Sequence, residues 1–147
     1  MIVREARADD APAVAALVRA LGYTADDGEV AERLSWFAAS VDDVVQVSAV
    51  DGELVGFVTV SCTRSLVDPQ WFGRITALSV AADHRRGGVG RRLVAAAEAW
   101  AAAHGSTLVQ VNSGRRPERA AAHEFYPALG YRDQHDHHVL YEKHLNA

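Results

Sequence analysis

Cysteine is nearly absent: Cys62 stands alone in 147 residues. No disulfide can therefore close within the chain, and a reducing compartment is the natural setting. Long apolar runs are missing too, since nothing approaches the ~18 residues that a bilayer-spanning helix needs. The opening Met1-Ile2-Val3-Arg4-Glu5 alternates and carries charge, which is the wrong pattern for a secretory signal, so a cytoplasmic protein with no membrane partner is expected. There is no excess of positive charge. Fifteen Lys and Arg against 19 Asp and Glu leave a net charge of −4, which argues against general nucleic-acid binding. Only Arg85, Arg86, Arg91 and Arg92 form a local cluster able to attract a small anion. Aromatics are few, at 7%, and the chain shows neither an internal repeat nor a low-complexity linker.

What is present is ordinary for a globular domain: 49% hydrophobic and 23% charged residues. The length predicts a single domain over 1–147, burying ~68–70% of its unfolded surface without a metal or disulfide. Alternation over Ile2 to Arg7 predicts a strand, and Asp9-Asp10-Ala11-Pro12 suits the first turn of a helix carrying Val14, Leu17, Val18 and Leu21. Gly22 closes that helix. Asp26-Asp27-Gly28-Glu29 opens a second, with Val30, Leu34 and Phe37 on one stripe. Val44–Val50 and Leu54–Cys62 flank Asp51-Gly52, a strong hairpin signal. Thr63 to Gly73 breaks both periods and reads as a loop.

The stretch from Trp71 to Trp100 organises the rest. The strand-like Ile75-Thr76-Ala77-Leu78-Ser79-Val80 runs through Ala81-Ala82-Asp83-His84 into the basic, glycine-rich turn Arg85-Arg86-Gly87-Gly88-Val89-Gly90 and an alanine-rich helix. Val89, Leu93, Ala96, Ala97 and Trp100 should form its buried face, with His104-Gly105 as its stop. Strand, glycine turn and helix together hold a phosphate well, because N–H groups at a helix start lack intrahelical partners and carry the positive end of the dipole. A dinucleotide fingerprint G-x-G-x-x-G is absent, since position 85 is arginine and the glycines are Gly87, Gly88 and Gly90. Thr107–Val111 predicts a short strand, and Ala120–Leu129 a helix bent or shortened by Pro127 and closed by Gly130. Tyr131-Arg132-Asp133 and Val139–Lys143 read as two last strands. The order β-α-α-β-β-β-α-β-α-β-β predicts an α/β fold with a mixed central sheet of about seven strands and about four helices.

Arg85-x-x-Gly88-x-Gly90 after Leu78-Ser79-Val80, followed by Phe125-Tyr126-x-x-Leu129-Gly130-Tyr131, resembles the GNAT-type acyl-CoA N-acyltransferase superfamily. The resemblance covers essentially the whole chain. It implies a GNAT fold and an N-acetyltransferase that uses acetyl-CoA as co-substrate and a small-molecule primary amine as acceptor, aminoglycoside-like or polyamine-like compounds being examples. Competing readings are acetylation of a protein or peptide amine, and a non-catalytic acyl-CoA-binding regulatory module. By resemblance, Arg85, Arg86, Gly87, Gly88, Val89, Gly90 and Arg91 surround the coenzyme pyrophosphate, and the main chain of Leu78, Ser79 and Val80 pairs with the pantetheine arm. Tyr126 matches the tyrosine that protonates the departing thiolate, the Val80 amide is the expected donor to the thioester carbonyl, and a homodimer is implied.

Two positions depart from the family pattern. Arg119 stands where many members have an asparagine seven residues before the tyrosine, and Trp71–Val80 contains no carboxylate where many have a glutamate base. The base is left open among Asp68, Glu124, Asp133 and a water chain. Asn112, at a strand end, either contacts coenzyme or substrate or caps a turn. Asp26, Asp27, Asp42, Asp43 and Asp68 suit a cationic acceptor or form a solvated surface. Trp36, Phe37, Trp71 and Phe72 either line an acceptor pocket or pack the N-terminal helices, with packing favoured for Phe37. His135, His137 and His138, with His144 nearby, read as surface residues and no metal is expected, because no cysteine joins them. Cys62 reads as a small buried hydrophobe, His123 as a packing or surface residue, and Tyr126 has as its plain alternative an amphipathic core tyrosine.

Overall fold

Pairing of main-chain groups builds a five-stranded sheet in the order β1-β2-β3-β4-β5. In this computed structural model the described residues are 1–112, 120–134 and 140–145. They fall into two compact units, Met1–Asn112 and Ser113–Ala147. The first holds β1 (Ile2–Glu5), α1 (Ala11–Ala20), α2 (Asp27–Ala39), β2 (Asp43–Val50), β3 (Glu53–Thr63), β4 (Phe72–Val80), α3 (Val89–Ala103) and β5 (Leu108–Val111). The second holds α4 (Ala120–Ala128). The first four strands pair antiparallel and β4 pairs parallel to β5, so the sheet is mixed as expected.

Local chemistry accounts for the boundaries. Asp51 and Gly52 both take positive φ, 51° and 81°, the geometry that a two-residue hairpin turn requires and that this dipeptide tolerates. Asp26 caps α2 by accepting from the Glu29 amide at 2.8 Å, and the Glu29 carboxylate accepts from the Asp26 amide at 3.3 Å, closing a reciprocal capping box. Pro127 falls in the last turn of α4, one residue before its end at Ala128.

The expectation of about seven strands needs correction. Tyr131-Arg132-Asp133 and residues 140–143 form no strand, while Val139 lies outside the described residues. Alternation marks a strand only when a partner takes the main-chain groups and a core takes the apolar side chains. Here Leu140 and Tyr141 are 82% and 88% exposed, so the pattern buries nothing.

The sheet is covered on both faces. Val45 and Val47 of β2 and Phe57 of β3 join Ala11, Val14, Leu17, Val30 and Leu34 in a cluster beneath α1 and α2. Gly56 and Val58 alternate to the opposite face, where α3 lies. Its buried residues are Val89, Leu93, Val94, Ala97 and Ala101, so Val94 and Ala101 are buried where Ala96 and Trp100 were expected, those two being half-buried. The approach of α3 is close. A Cβ at Gly56 would lie 2.9 Å from Leu93 Cδ1, and one at Gly73 2.9 Å from Ala101 Cβ.

At the N-terminus, Arg4 donates to both carboxylate oxygens of Asp10, at 2.8 and 2.9 Å, and the Arg7 amide donates to the same carboxylate at 2.7 Å. Asp10 is 6% exposed. Its carboxyl is held below its ordinary value, chiefly by the Arg4 hydrogen bonds, while burial opposes them.

Two outcomes follow from this packing. Gly73→Ala should overpack the α3 contact and cost about 1–3 kcal/mol, read as a lowered thermal midpoint. Asp10→Asn should cost about 1.5–3 kcal/mol at pH 7 in urea unfolding. Because the folded carboxyl pKa is depressed, the stabilisation is complete above about pH 3.9, the ordinary carboxyl value, and is lost as pH falls through the folded value. The gap between wild type and Asp10→Asn should therefore close in acid.

Candidate functional site

Strands β4 and β5 run together for only four residues. Phe72, Gly73, Arg74 and Ile75 pair with Leu108, Val109, Gln110 and Val111, and no pairing of β5 with Thr76–Val80 occurs among the described residues. On its other side β4 is irregular at the same place. Thr59 of β3 faces Ala77 while Val60 faces Ile75, so Thr76 is an extra residue, a β-bulge. A bulge bends its strand and increases local twist, and this one falls one residue past Ile75, the last residue of β4 paired to β5 among the described residues. The Thr76 hydroxyl is hydrogen-bonded to that of Thr59. Asn112, exposed, follows Val111 at the end of β5, just past the last paired position.

The open stretch of β4 contains Leu78, Ser79 and Val80, all proposed from sequence. Ser79 is buried and its hydroxyl donates to the Leu17 carbonyl at 3.0 Å, tying β4 to α1. Its side chain is thus committed, and only its main chain is available. Beyond Val80, the Ala81 amide donates to Val55 at 2.8 Å and Arg85 Nε donates back to the Val80 carbonyl at 3.4 Å.

Arg86 and Gly88 then take positive φ, 65° and 84°, and turn the chain sharply into α3. The Arg92 amide donates to the Gly88 carbonyl at 3.1 Å. The amides of Val89, Gly90 and Arg91 precede that bond and so have no partner within the helix. No side chain caps this end, and a Cβ at Gly88 would meet nothing within 4 Å. Gly87 and Gly88 are exposed, as are Arg85, Arg86, Arg91 and Arg92, and among the described residues none of these arginines is in an ion pair. The helix start is therefore open, uncapped and flanked by cations, which suits a phosphate ester.

Tyr126 belongs to the C-terminal unit. It is 9% exposed, and its ring meets Phe125 at 5.1 Å and Tyr131 at 5.7 Å, both edge-to-face. The acidic residues have local partners within the first unit. Asp26 caps α2, Asp27 lies 3.6 Å from Arg19 and Asp42 3.9 Å from Arg64. Asp43 accepts from Ser40 at 2.6 Å and Asp68 from the Gln70 amide at 2.9 Å. Glu124 and Asp133 are exposed in the second unit. Arg119 and His135–His138 lie outside the described residues, as does the side chain of His123. His144 lies 3.9 Å from Glu142. Among the described residues no three potential ligands cluster around a metal position, and no helix is long and apolar enough to cross a membrane.

A cleft of about 150 Å³ opens between α1, α2 and the sheet. Phe37 lines it, whereas Trp36 points away and is 59% exposed. Trp71 lies beneath Arg64, 4.5 Å from its guanidinium, and Phe72 lies 5.7 Å from that of Arg74. Half-buried Cys62 places its sulfur 3.3 Å from the Ser106 hydroxyl. Sequence periodicity located the walls of the cleft as core stripes but gave no sign of the gap between them.

The sequence profile of the acetyltransferase (GNAT) family matches residues 6–131. This chain belongs to the GNAT acetyltransferase family. Its GNAT fold recurs in a transcriptional regulator from Bacillus halodurans, at 20% identity and TM-score 0.84, covering 98% of this chain and 99% of that one. It recurs in aminoglycoside antibiotic 6'-N-acetyltransferase AAC(6')-IG from Acinetobacter haemolyticus, at 17% identity and TM-score 0.82, covering 99% and 100%. Aminoglycoside N-acetyltransferase AAC(6')-Iy, in complex with CoA, is similar at 18% identity and TM-score 0.84, covering 98% and 95%. At these identities the likeness is one of GNAT fold. Among curated proteins, none matches the sequence.

Proposed function

We propose that this GNAT protein transfers an acetyl group from acetyl-CoA to a primary amine of a small molecule. The observation that carries the reading is the continuity of the β5-side edge of Thr76–Val80, unpaired among the described residues, with the uncapped, arginine-flanked start of α3. A thin chain bearing amide groups adds to the first as a strand would, and the phosphates at its end meet the second. Pantetheine joined to a pyrophosphate has both parts. Each well-placed charge near the helix terminus adds about 0.3–1 kcal/mol. The reading is further supported by family membership and by the related fold crystallised with CoA.

In this reading the Arg85–Arg91 turn binds the pyrophosphate, Leu78, Ser79 and Val80 align the arm through their main chain, and the Val80 amide donates to the thioester carbonyl. Acetyl-CoA supplies the activated carbonyl carbon. The neutral amine attacks that carbon, the carbon–sulfur bond breaks, and Tyr126 gives its proton to the departing thiolate while the amine loses one to solvent or a base. Positioning and a directed donor supply the acceleration, with no covalent enzyme intermediate.

Two variants test the halves of this assignment. Gly88→Glu, which puts bulk and negative charge into the open space beside the helix start, should weaken acetyl-CoA binding by roughly tenfold or more in calorimetry, about 1.4 kcal/mol. Unchanged affinity would remove the turn from the phosphate role. Tyr126→Phe should lower turnover by about 10²–10⁴-fold with coenzyme affinity preserved, followed as thiol release; an unaltered rate would end its assignment as the acid.

A further inference from the structure

We infer that the acceptor is an amine with a single compact apolar body, an aromatic ring or branched alkyl group, and that it lodges in the cleft between α1, α2 and the sheet. This rests on the acetyltransferase reading above and adds the class of acceptor. The cleft is walled by Val14 and Val18 of α1, Leu34 and Phe37 of α2, Phe57 of β3 and Ala77 of β4. No carboxylate lines it, and Arg33 is its one charged side chain. Arg33 is itself 3.5 Å from Glu29, with which it makes an i,i+4 pair.

Three features fix the occupant. The volume of about 150 Å³ is that of an apolar void that accepts a benzene ring. Among the described residues the walls offer no anion to a second ammonium group, so a polyamine or aminoglycoside would place charge against hydrocarbon, which is costly. The cleft also continues into the reacting strand. Ala77 is in its wall, adjoins Leu78 in sequence, and pairs across the bulge with Thr59, which also lines the cleft. An amine on a short tether from a ring in the cleft is thus carried to the edge of β4 where the thioester is held. The acidic residues that would suit a polycation lie elsewhere in the fold, each with a local partner already described.

The test compares kcat/KM for 2-phenylethylamine, isoamylamine, spermidine and kanamycin with acetyl-CoA, in wild type and in Val18→Phe, which fills the cleft from a half-buried wall position. The expected result is at least a tenfold preference for the two apolar amines. The substitution should lower their kcat/KM by tenfold or more through KM and leave acetyl-CoA affinity as in wild type. Equal or faster turnover of spermidine or kanamycin would overturn the apolar acceptor while leaving the transferase reading in place. Unchanged kinetics in Val18→Phe would remove the cleft as the acceptor site. Tight acetyl-CoA binding with no turnover of any amine would overturn both this inference and the transferase reading.

Discussion

The close seating of α3 on the sheet sets the remaining geometry. Glycine at positions 56 and 73 lets Leu93, near the start of the helix, and Ala101, near its end, approach the strands almost to main-chain distance. With both ends of its buried face fixed, the helix cannot slide or tilt freely, because interiors at crystal-like density deform little. Its first turn is consequently held just beyond the end of β4, and the open amides keep their place without a side-chain cap.

Strand separation supplies the other half. One inserted residue, Thr76, interrupts a β4 that stays paired to β3 along its length, and it falls just past Ile75, the last residue paired to β5 among the described residues. Next to it, Ala77 lies in the wall of the cleft on the face covered by α1 and α2. The cleft wall at Ala77 and the stretch Leu78–Val80 thus follow one another on a single strand. Ser79 strengthens this by tying that strand to α1 through the Leu17 carbonyl, so the cleft wall and the open edge share a common support.

Much of this was legible in the residues. The Asp51-Gly52 hairpin, the Asp26 cap, the Gly88-x-Gly90 helix start and the 3.6-residue stripes of α1 to α3 are local signals, and local chemistry decided them. The bulge at Thr76 was not visible, because a β-branched residue in a strand-like run gives no sign that it is unpaired with the neighbouring strand. Gly56 carries no signal of its own within Leu54–Cys62, and Gly73 falls at the end of the stretch read as a loop, since the helix that demands their smallness is distant in sequence. The two closing strands expected at Tyr131–Asp133 and Val139–Lys143 are absent among the described residues, because a strand-like composition records a tendency and pairing is a tertiary event. Tyr126 is singled out by its motif alone, and its ring packing with Phe125 and Tyr131 is equally that of an amphipathic core residue.

An unpaired row of N–H and C=O groups is normally an invitation to aggregate, since another chain can add to it as a strand. The outer edge at β1 is kept to four residues and carries Arg4, locked to Asp10, which discourages such addition. On β4, among the described residues, Thr76–Val80 have β3 on one side and no strand on the other. The bulge at Thr76 breaks the regular spacing of that row at its start, which is one of the devices by which folds make an edge a poor template for another chain.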